Sequence, residues 1–231
     1  MILFDSVDIN SVAGVKIEDI KVSGVKFSPV TRQRAIAAGA DFVRNRAAGR
    51  IVTVIFAVLK QDRNARQAAI SAINGWAKSD KEYKLEIIGH PGRYLMAVCT
   101  EKPDPSTRQW WEAKLKLVFS CFDDPYWIGT QKSAACGTSF TVLGDAPPIM
   151  RIERTLSSAA SNQSYAMDGR TMTFSTIPAG DMIIDLNRQT AAVGTTSIMQ
   201  YFNVNSKFIQ PRTGSMTITG TGTVKYRERF E

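Results

Sequence analysis

Histidine is nearly missing from this chain: His90 is the only one in 231 residues. That scarcity removes most hydrolytic and metal chemistry at once. A Ser–His–Asp arrangement would have to run through His90, and no G-x-S-x-G elbow is present to supply its nucleophile. A zinc site needs several nitrogen or sulfur ligands, and no cysteine or second histidine stands at ligand spacing from His90. In "IGHPGRY" it reads as a turn residue beside Pro91 rather than a general base. Phosphate-cradling G-x-x-x-x-G-K-[ST] and dinucleotide G-x-G-x-x-G motifs are also missing. "TGTGTV" (219–224) is glycine-rich, but it lies between strand patterns and reads as a turn or bulge. Asp123 and Asp124 precede "PYW" as a solvated turn and cap. Asp181 and Asp185 in "DMIIDL" share a strand face but have no further ligands for a metal. The chain is expected not to be an enzyme and to need no cofactor.

Cysteine is scarce too. Cys99, Cys121 and Cys136 are an odd number with no close pair, and the first two sit in apolar runs where a thiol acts as a small hydrophobe. A disulfide framework is not expected, which favours folding in a reducing compartment. "MILFDSVDIN" lacks the basic start and apolar run of a signal peptide, and no segment reaches bilayer-spanning length. The expectation is a soluble protein made in the cytoplasm, without membrane insertion.

What is present is β pattern, interrupted once. "VKIEDIKVSGVKF" (15–27) alternates with a break at Gly24. "IVTVIFAVL" (51–59) is apolar on both faces and predicts a central strand covered on each side. In "DRNARQAAISAINGWAK" (62–78) the period changes: Ala65, Ala69, Ile73 and Trp76 fall on one helical face, with Asp62 as the cap. "YKLEIIG" and "RYLMAVCT" are strands joined at "HPG". "EKPDPSTRQ" (101–109) reads as a polar loop, and "WWEAKLKLVFSCF" (110–122) as a half-buried strand with Ala113, Leu115, Leu117 and Phe119 inward. The stretch "DDPYWIGTQKSAACG" (123–137) marks a boundary, with Asp124, Pro125, Tyr126 and Trp127 as the candidate domain junction. Beyond it come Thr, Ser and Gly and short strands ("SFTVLG", "IMRIE", "TMTFSTI", "DMIIDL", "TAAVG", "SMTITGTGTVKYRERF"), the signature of a β-sandwich. The predicted class is mainly β with one α-helix: an N-terminal β domain carrying the helix, residues 1–130, and a C-terminal β-sandwich, residues 131–221.

The net charge is +8 and is divided along the chain, 19 basic against 14 acidic residues to residue 130 and 10 against 7 beyond it. A diffuse surplus is weak support for a nucleic-acid partner. The concentration lies in "TRQRAIAAGADFVRNRAAGR" (31–50), where Arg32, Arg34, Arg44, Arg46 and Arg50 face a single acid, Asp41. Three readings arise. A nucleic-acid-binding β protein would grip phosphates with this stretch, yet Phe42 is the one aromatic available for base stacking. A carbohydrate-binding module would use Trp and Tyr of the second part, which holds only Tyr165, Tyr201 and Tyr226 after Trp127. In the third reading the arginines sit on a strand–loop–strand arm at a subunit or partner interface, each close pair on one strand face; a solvated hairpin is the plain alternative.

The order of elements is more specific than any motif. The basic strand–loop–strand insert, "IVTVIFAVL", the helix ending near a Trp, "YKLEIIGHPGRYLMAV" and a strand running into "CFDDPYW" form a series that resembles the distal tail protein family of siphophages and related prophages. "LGDAPPIMRIE", "DMIIDLNRQTAAVG" and "FIQPRTGSMTITGTGTVKYRERF" extend the resemblance over nearly the whole chain. It implies a galectin-like C-terminal sandwich and leaves room for the last strand, about 222–231, to return to the N-terminal domain. It also implies a homohexameric ring hub at the virion tail tip, made in the bacterial host cytoplasm. Such a ring joins the tail tube protein to a tail-tip or tail-lysin protein, carries receptor-binding or baseplate proteins, and lets DNA pass in transit. The family has no catalytic residues to carry over.

Overall fold

The computed structural model describes residues 1–11, 14–33, 40–60, 62–101, 106–109 and 112–231, with backbone alone for 30–33, 40–46, 106–109 and 112–113. The chain divides into two compact units, Met1–Trp127 and Ile128–Glu231. It is mainly β with one α-helix among the described residues, as the sequence predicts.

The first unit contains β1 (Ile2–Phe4), β2 (Val7–Asp8), β3 (Val15–Val22), β4 (Lys26–Gln33), β5 (Ala40–Leu59), α1 (Arg63–Trp76), β6 (Tyr83–Ile87), β7 (Arg93–Glu101), β8 (Ser106–Gln109) and β9 (Glu112–Cys121). Antiparallel pairing runs in the order β3, β5, β9, β7, β6, β1, β2. Alternation sorts β9: Leu115, Leu117 and Phe119 are buried while Lys114 and Lys116 are exposed. The polar loop expected at 101–109 is in part a strand, since Ser106–Gln109 pairs with β9; its polar composition hid it. Trp110 and Trp111 lie outside the described residues.

β5 takes the central place expected for "IVTVIFAVL", but its two faces differ. Val52, Val54, Phe56 and Val58 are fully buried, whereas Ile51, Thr53 and Ile55 are half-buried. Beside these residues, on the same face of the sheet, β9 places lysines: Lys116 is the register partner of Ile55, and Lys114 that of Ala57. Each lysine is held by a carboxylate, Lys114 by Glu18 at 3.5 Å and Lys116 by Glu101 at 3.4 Å. Their methylene stems cover apolar surface and leave the ammonium groups in water.

Helix α1 starts where Asp62 caps it, Oδ2 accepting from the Ala65 N–H at 2.7 Å. Its buried stripe is Arg66, Ala69, Ile70, Ile73 and Trp76. Ala65, expected on that face, is exposed beside the cap, and Arg66 takes the inward position of the first turn. Trp76 is the hub of the core. Its ring lies 5.5 Å from Phe4, 5.9 Å from Phe119 and 6.4 Å from Phe56, all edge-on. Its indole N–H donates to the Val7 carbonyl at 2.9 Å, so the one polar atom of a large buried ring is satisfied.

The second unit contains β10 (Trp127–Ala135, beginning one residue earlier), β11 (Ser139–Val142), β12 (Ala146–Leu156), β13 (Ala160–Met167), β14 (Arg170–Ile177), β15 (Gly180–Asp185), β16 (Thr190–Val193), β17 (Thr196–Ser197), β18 (Gly214–Thr217) and β19 (Thr223–Phe230). One layer runs β17, β16, β15, β12, β19, β10. The pairs β11–β18 and β13–β14 make the other, linked by a bridge between Ala166 and Thr219. Met150, Ile152, Met172, Phe174, Met182, Ile184, Ile218 and Val224 belong to the shared core. The final strand β19 pairs with β12, with Tyr226 opposite Met150. Two strands escape a sequence reading. β10 occupies the stretch read as a boundary, and in β13 ("ASNQSYAM") only Tyr165 and Met167 are buried. The glycines of "TGTGTV" make the turn into β19. Gly220 sits at φ 122°, and a Cβ there would fall 2.5 Å from the Tyr165 ring.

Candidate assembly site on the long strand

β5 is 20 residues long and changes role partway. From Arg50 to Leu59 it pairs with β9, and Val52 to Val58 also pair with β3. From Ala40 to Gly49 its partner is β4 alone, from Gln33 opposite Ala40 to Lys26 opposite Gly49. No third strand flanks these two among the described residues. The result is a two-stranded ribbon about 25 Å long at the usual rise per residue. Register shifts between Lys26 and Phe27 and between Val30 and Thr31 add twist.

The hinge between the two regimes is Gly49. Its φ is 139°, and a Cβ there would stand 3.0 Å from the carbonyl oxygen of Cys121. Only glycine adopts this conformation without strain, and it lets β5 close on the end of β9.

The five arginines separate here. Arg32 lies opposite Asp41, Arg44 opposite Val30 and Arg46 opposite Ser28 along the ribbon backbone. Their side chains, and Arg34 entirely, lie outside the described residues. Arg50 belongs to the core instead. It is 3% exposed, and its guanidinium carbon lies 5.8 Å over the Trp127 ring. His90 stacks on the same indole with centroids 4.0 Å apart and planes 26° apart. A candidate interface residue, a candidate junction residue and the lone histidine therefore form one cluster. No periodicity could have signalled it, because its three members come from separate strands and turns.

The surroundings explain its electrostatics. Glu82 Oε1 accepts from the Phe122 and Asp123 N–H groups at 2.8 and 3.3 Å, and Asp124 Oδ1 accepts from the Tyr126 N–H at 3.3 Å. Asp123 and Asp124 thus serve a turn, with Pro125 buried beneath. Burial pushes the Cys121 thiol up to about 12; the negative charges of Glu82 and Asp124 add to this and Arg50 opposes it. The His90 imidazole is held below its ordinary range by burial first, then by Arg93 and Arg50. An imidazole and a guanidinium on one indole make an anchoring arrangement, combining stacking with a cation–π contact.

Elsewhere the candidate groups have structural partners. Asp181 accepts from the Thr155 hydroxyl at 2.6 Å, while Asp185 caps the turn at Asn187 and Arg188 at 3.0 and 2.9 Å. The two do not converge. Among the described residues no group of His, Cys, Asp or Glu could hold a metal ion, and no helix is long and apolar enough to cross a membrane.

No family model matches the sequence. No curated protein matches it either. The fold does have solved counterparts. The crystal structure of the Dit protein (gp 19.1) of phage SPP1, described as a paradigm of hub adsorption apparatus in Gram-positive infecting phages, matches with a TM-score of 0.77 at 17% identity, covering 100% of this chain and 98% of that one. The baseplate of phage P2 in its activated conformation with Ca matches with a TM-score of 0.50 at 8% identity, covering 100% and 97%. At such identities the likeness is one of fold. The structural neighbours are phage hub and baseplate proteins, in keeping with the resemblance carried by the order of elements.

Proposed function

We propose that this chain is a structural hub of a phage tail tip: a ring of six copies between the tail tube protein and the tail-tip or tail-lysin protein, through which DNA passes in transit. The first unit forms the ring, and the second unit, a galectin-like sandwich, faces outward to receptor-binding or baseplate proteins. No catalytic step or cofactor enters this reading.

The observation that carries it is the ribbon. Two strands alone are marginal in water and call for a covering surface. Residues 26–49 hold five basic residues against one acid, and Phe27 on the ribbon is 49% exposed. A neighbouring copy supplies such a surface in a ring, where one heterologous contact repeats until it closes. Arg32, Arg34, Arg44 and Arg46 are assigned to that contact, and Arg50, held against Trp127, fixes the base of the arm. The fold shared with a hub protein over the full length supports the same reading.

Light scattering and negative-stain imaging test it. The expected result is a hexamer, or a monomer that forms rings once tail-tube and tail-tip proteins are added. Compact monomers that never join either partner would overturn the hub. The double variant Arg44→Glu/Arg46→Glu is expected to weaken ring assembly while leaving the melting of the monomer unchanged, and normal rings from it would remove the arm from the interface.

A further inference from the structure

In the second unit two distant segments meet at a hairpin tip. β13 turns into β14 through Asp168 and Gly169, at φ 50° and 72°, the backbone of a two-residue hairpin turn. The strand-free segment 203–213 runs beside β14, its Asn203 and Lys207 N–H groups donating to the Thr173 and Thr171 carbonyls at 2.9 Å each. Buried Phe208 and Ile209 hold it down. A cleft of about 260 Å³ opens between hairpin and segment, lined by Met167, Asp168, Arg170, Gln210, Pro211 and Arg212.

Arg212 is fixed across this cleft. Its Nε donates to Asp168 Oδ2 at 2.6 Å and its Nη2 to Oδ1 at 3.3 Å, while Nη1 donates to the Thr213 carbonyl at 3.1 Å. The Arg212 guanidinium keeps the Asp168 carboxyl below the usual carboxylate range. Both side chains remain about half exposed, 45% and 49%, so carboxylate lone pairs still face water. Arg170 reaches the Phe208 carbonyl at 3.4 Å. The cleft therefore offers a fixed acceptor next to a fixed donor, an amide from Gln210, an extra cation and an apolar floor from Met167 and Pro211.

That combination discriminates among ligand classes. A bare anion finds only Arg170 as a partner and meets the Asp168 carboxylate beside it, since Arg212 is already neutralised. A cation meets Arg170. A purely apolar ligand would strand the charged groups without water. Neighbouring hydroxyls satisfy both members of the pair, one donating to carboxylate and the next accepting from guanidinium, while ring C–H groups lie on the floor. We propose that this cleft binds a saccharide unit through vicinal hydroxyls on the Asp168–Arg212 pair and Gln210, with Arg170 favouring a sugar that bears a carboxylate. This site stands apart from ring assembly, and its test is read on the chain alone.

Saturation-transfer NMR on the full chain with D-glucose, D-glucuronate and inorganic phosphate is the experiment. Saturation of ring protons is expected for both sugars, with tighter binding of glucuronate, and phosphate is expected not to displace glucose. Asp168→Asn suits its positive-φ position, since asparagine tolerates that conformation. It and Gln210→Ala are each expected to weaken binding about tenfold, as for loss of one good hydrogen bond, with melting unchanged for Gln210→Ala. No transfer to either sugar, transfer unaltered in both variants, or displacement by phosphate would each overturn the proposal.

Discussion

The two halves of β5 are one unbroken strand with opposite surroundings. From Arg50 onward it lies between β3 and β9 with Val52, Val54, Phe56 and Val58 fully buried. Before Gly49 it pairs only with β4, in the sequence ADFVRNRAA, where Asp41, Arg44, Asn45 and Arg46 interrupt the apolar residues. Strand pairing runs through both halves apart from local register shifts, so secondary structure does not separate core from ribbon. Side-chain composition and the number of flanking strands do. A strand can therefore continue out of a core as a two-stranded ribbon, provided that a residue at the boundary permits the change of partner.

The sharpest break is expected in the inner half. Phe56→Ala removes a ring packed near Trp76 and leaves a cavity, which costs about 3–5 kcal/mol. Urea unfolding should show this as a large fall in midpoint, and a loss below about 1 kcal/mol would mean that the inner half is not the core. The boundary comes next. Gly49→Ala forces a Cβ into a positive-φ position against the Cys121 carbonyl, at a cost of about 1–3 kcal/mol. Gly24 is the control, with no positive φ and open space within 4 Å of where a Cβ would stand. Gly24→Ala should be neutral or slightly stabilising. Equal effects at the two glycines would erase the boundary.

The core around the inner half was legible because burial leaves a pattern, an unbroken apolar run in β5 and a period in the elements packed beside it. Leu115, Leu117 and Phe119 alternate with lysines, and the helix announces itself through Asp62, Ala69, Ile73 and Trp76. Elements whose burial is partial were harder: β8 is short and polar, β13 turns only Tyr165 and Met167 inward, and β10 begins inside a stretch full of turn residues. The candidate site was legible in its charge and not in its geometry. Five arginines within twenty residues were visible, but the division between Arg50 and the others depends on which strands flank β5. The stacking of His90 on Trp127 is likewise a product of tertiary pairing, which local patterns do not encode.

The anchor at the boundary gives a smaller, pH-dependent effect. His90 has a folded-state pKa below its unfolded value of 6.5, owing to burial and to Arg93 and Arg50. Its contribution is thus fully present above pH 6.5 and is lost as pH falls through the lower folded value. Urea midpoints measured from pH 8 to 5 should decline on the acid side in the native protein, and His90→Gln should remove that part of the slope. Parallel slopes would show that protonation of His90 does not strain the anchor.

The smallest effect on stability is expected from the most drastic change to the outer half. Lys26 and Gly49 are register partners, so residues 27–48 can be replaced by an Asn-Gly turn that closes the two strands directly. Phe27 is the large apolar side chain lost among the described residues, and it is already half exposed. The excised protein also forms a much shorter loop, which lowers its closure entropy cost. These changes nearly cancel, and the urea midpoint should shift by no more than about 0.5 kcal/mol, the range of surface substitutions. Assembly, measured by light scattering with tail-tube protein, should be lost. A protein that unfolds or loses several kcal/mol on excision would mean that the ribbon packs as part of the core, and β5 would then be one structural element rather than two.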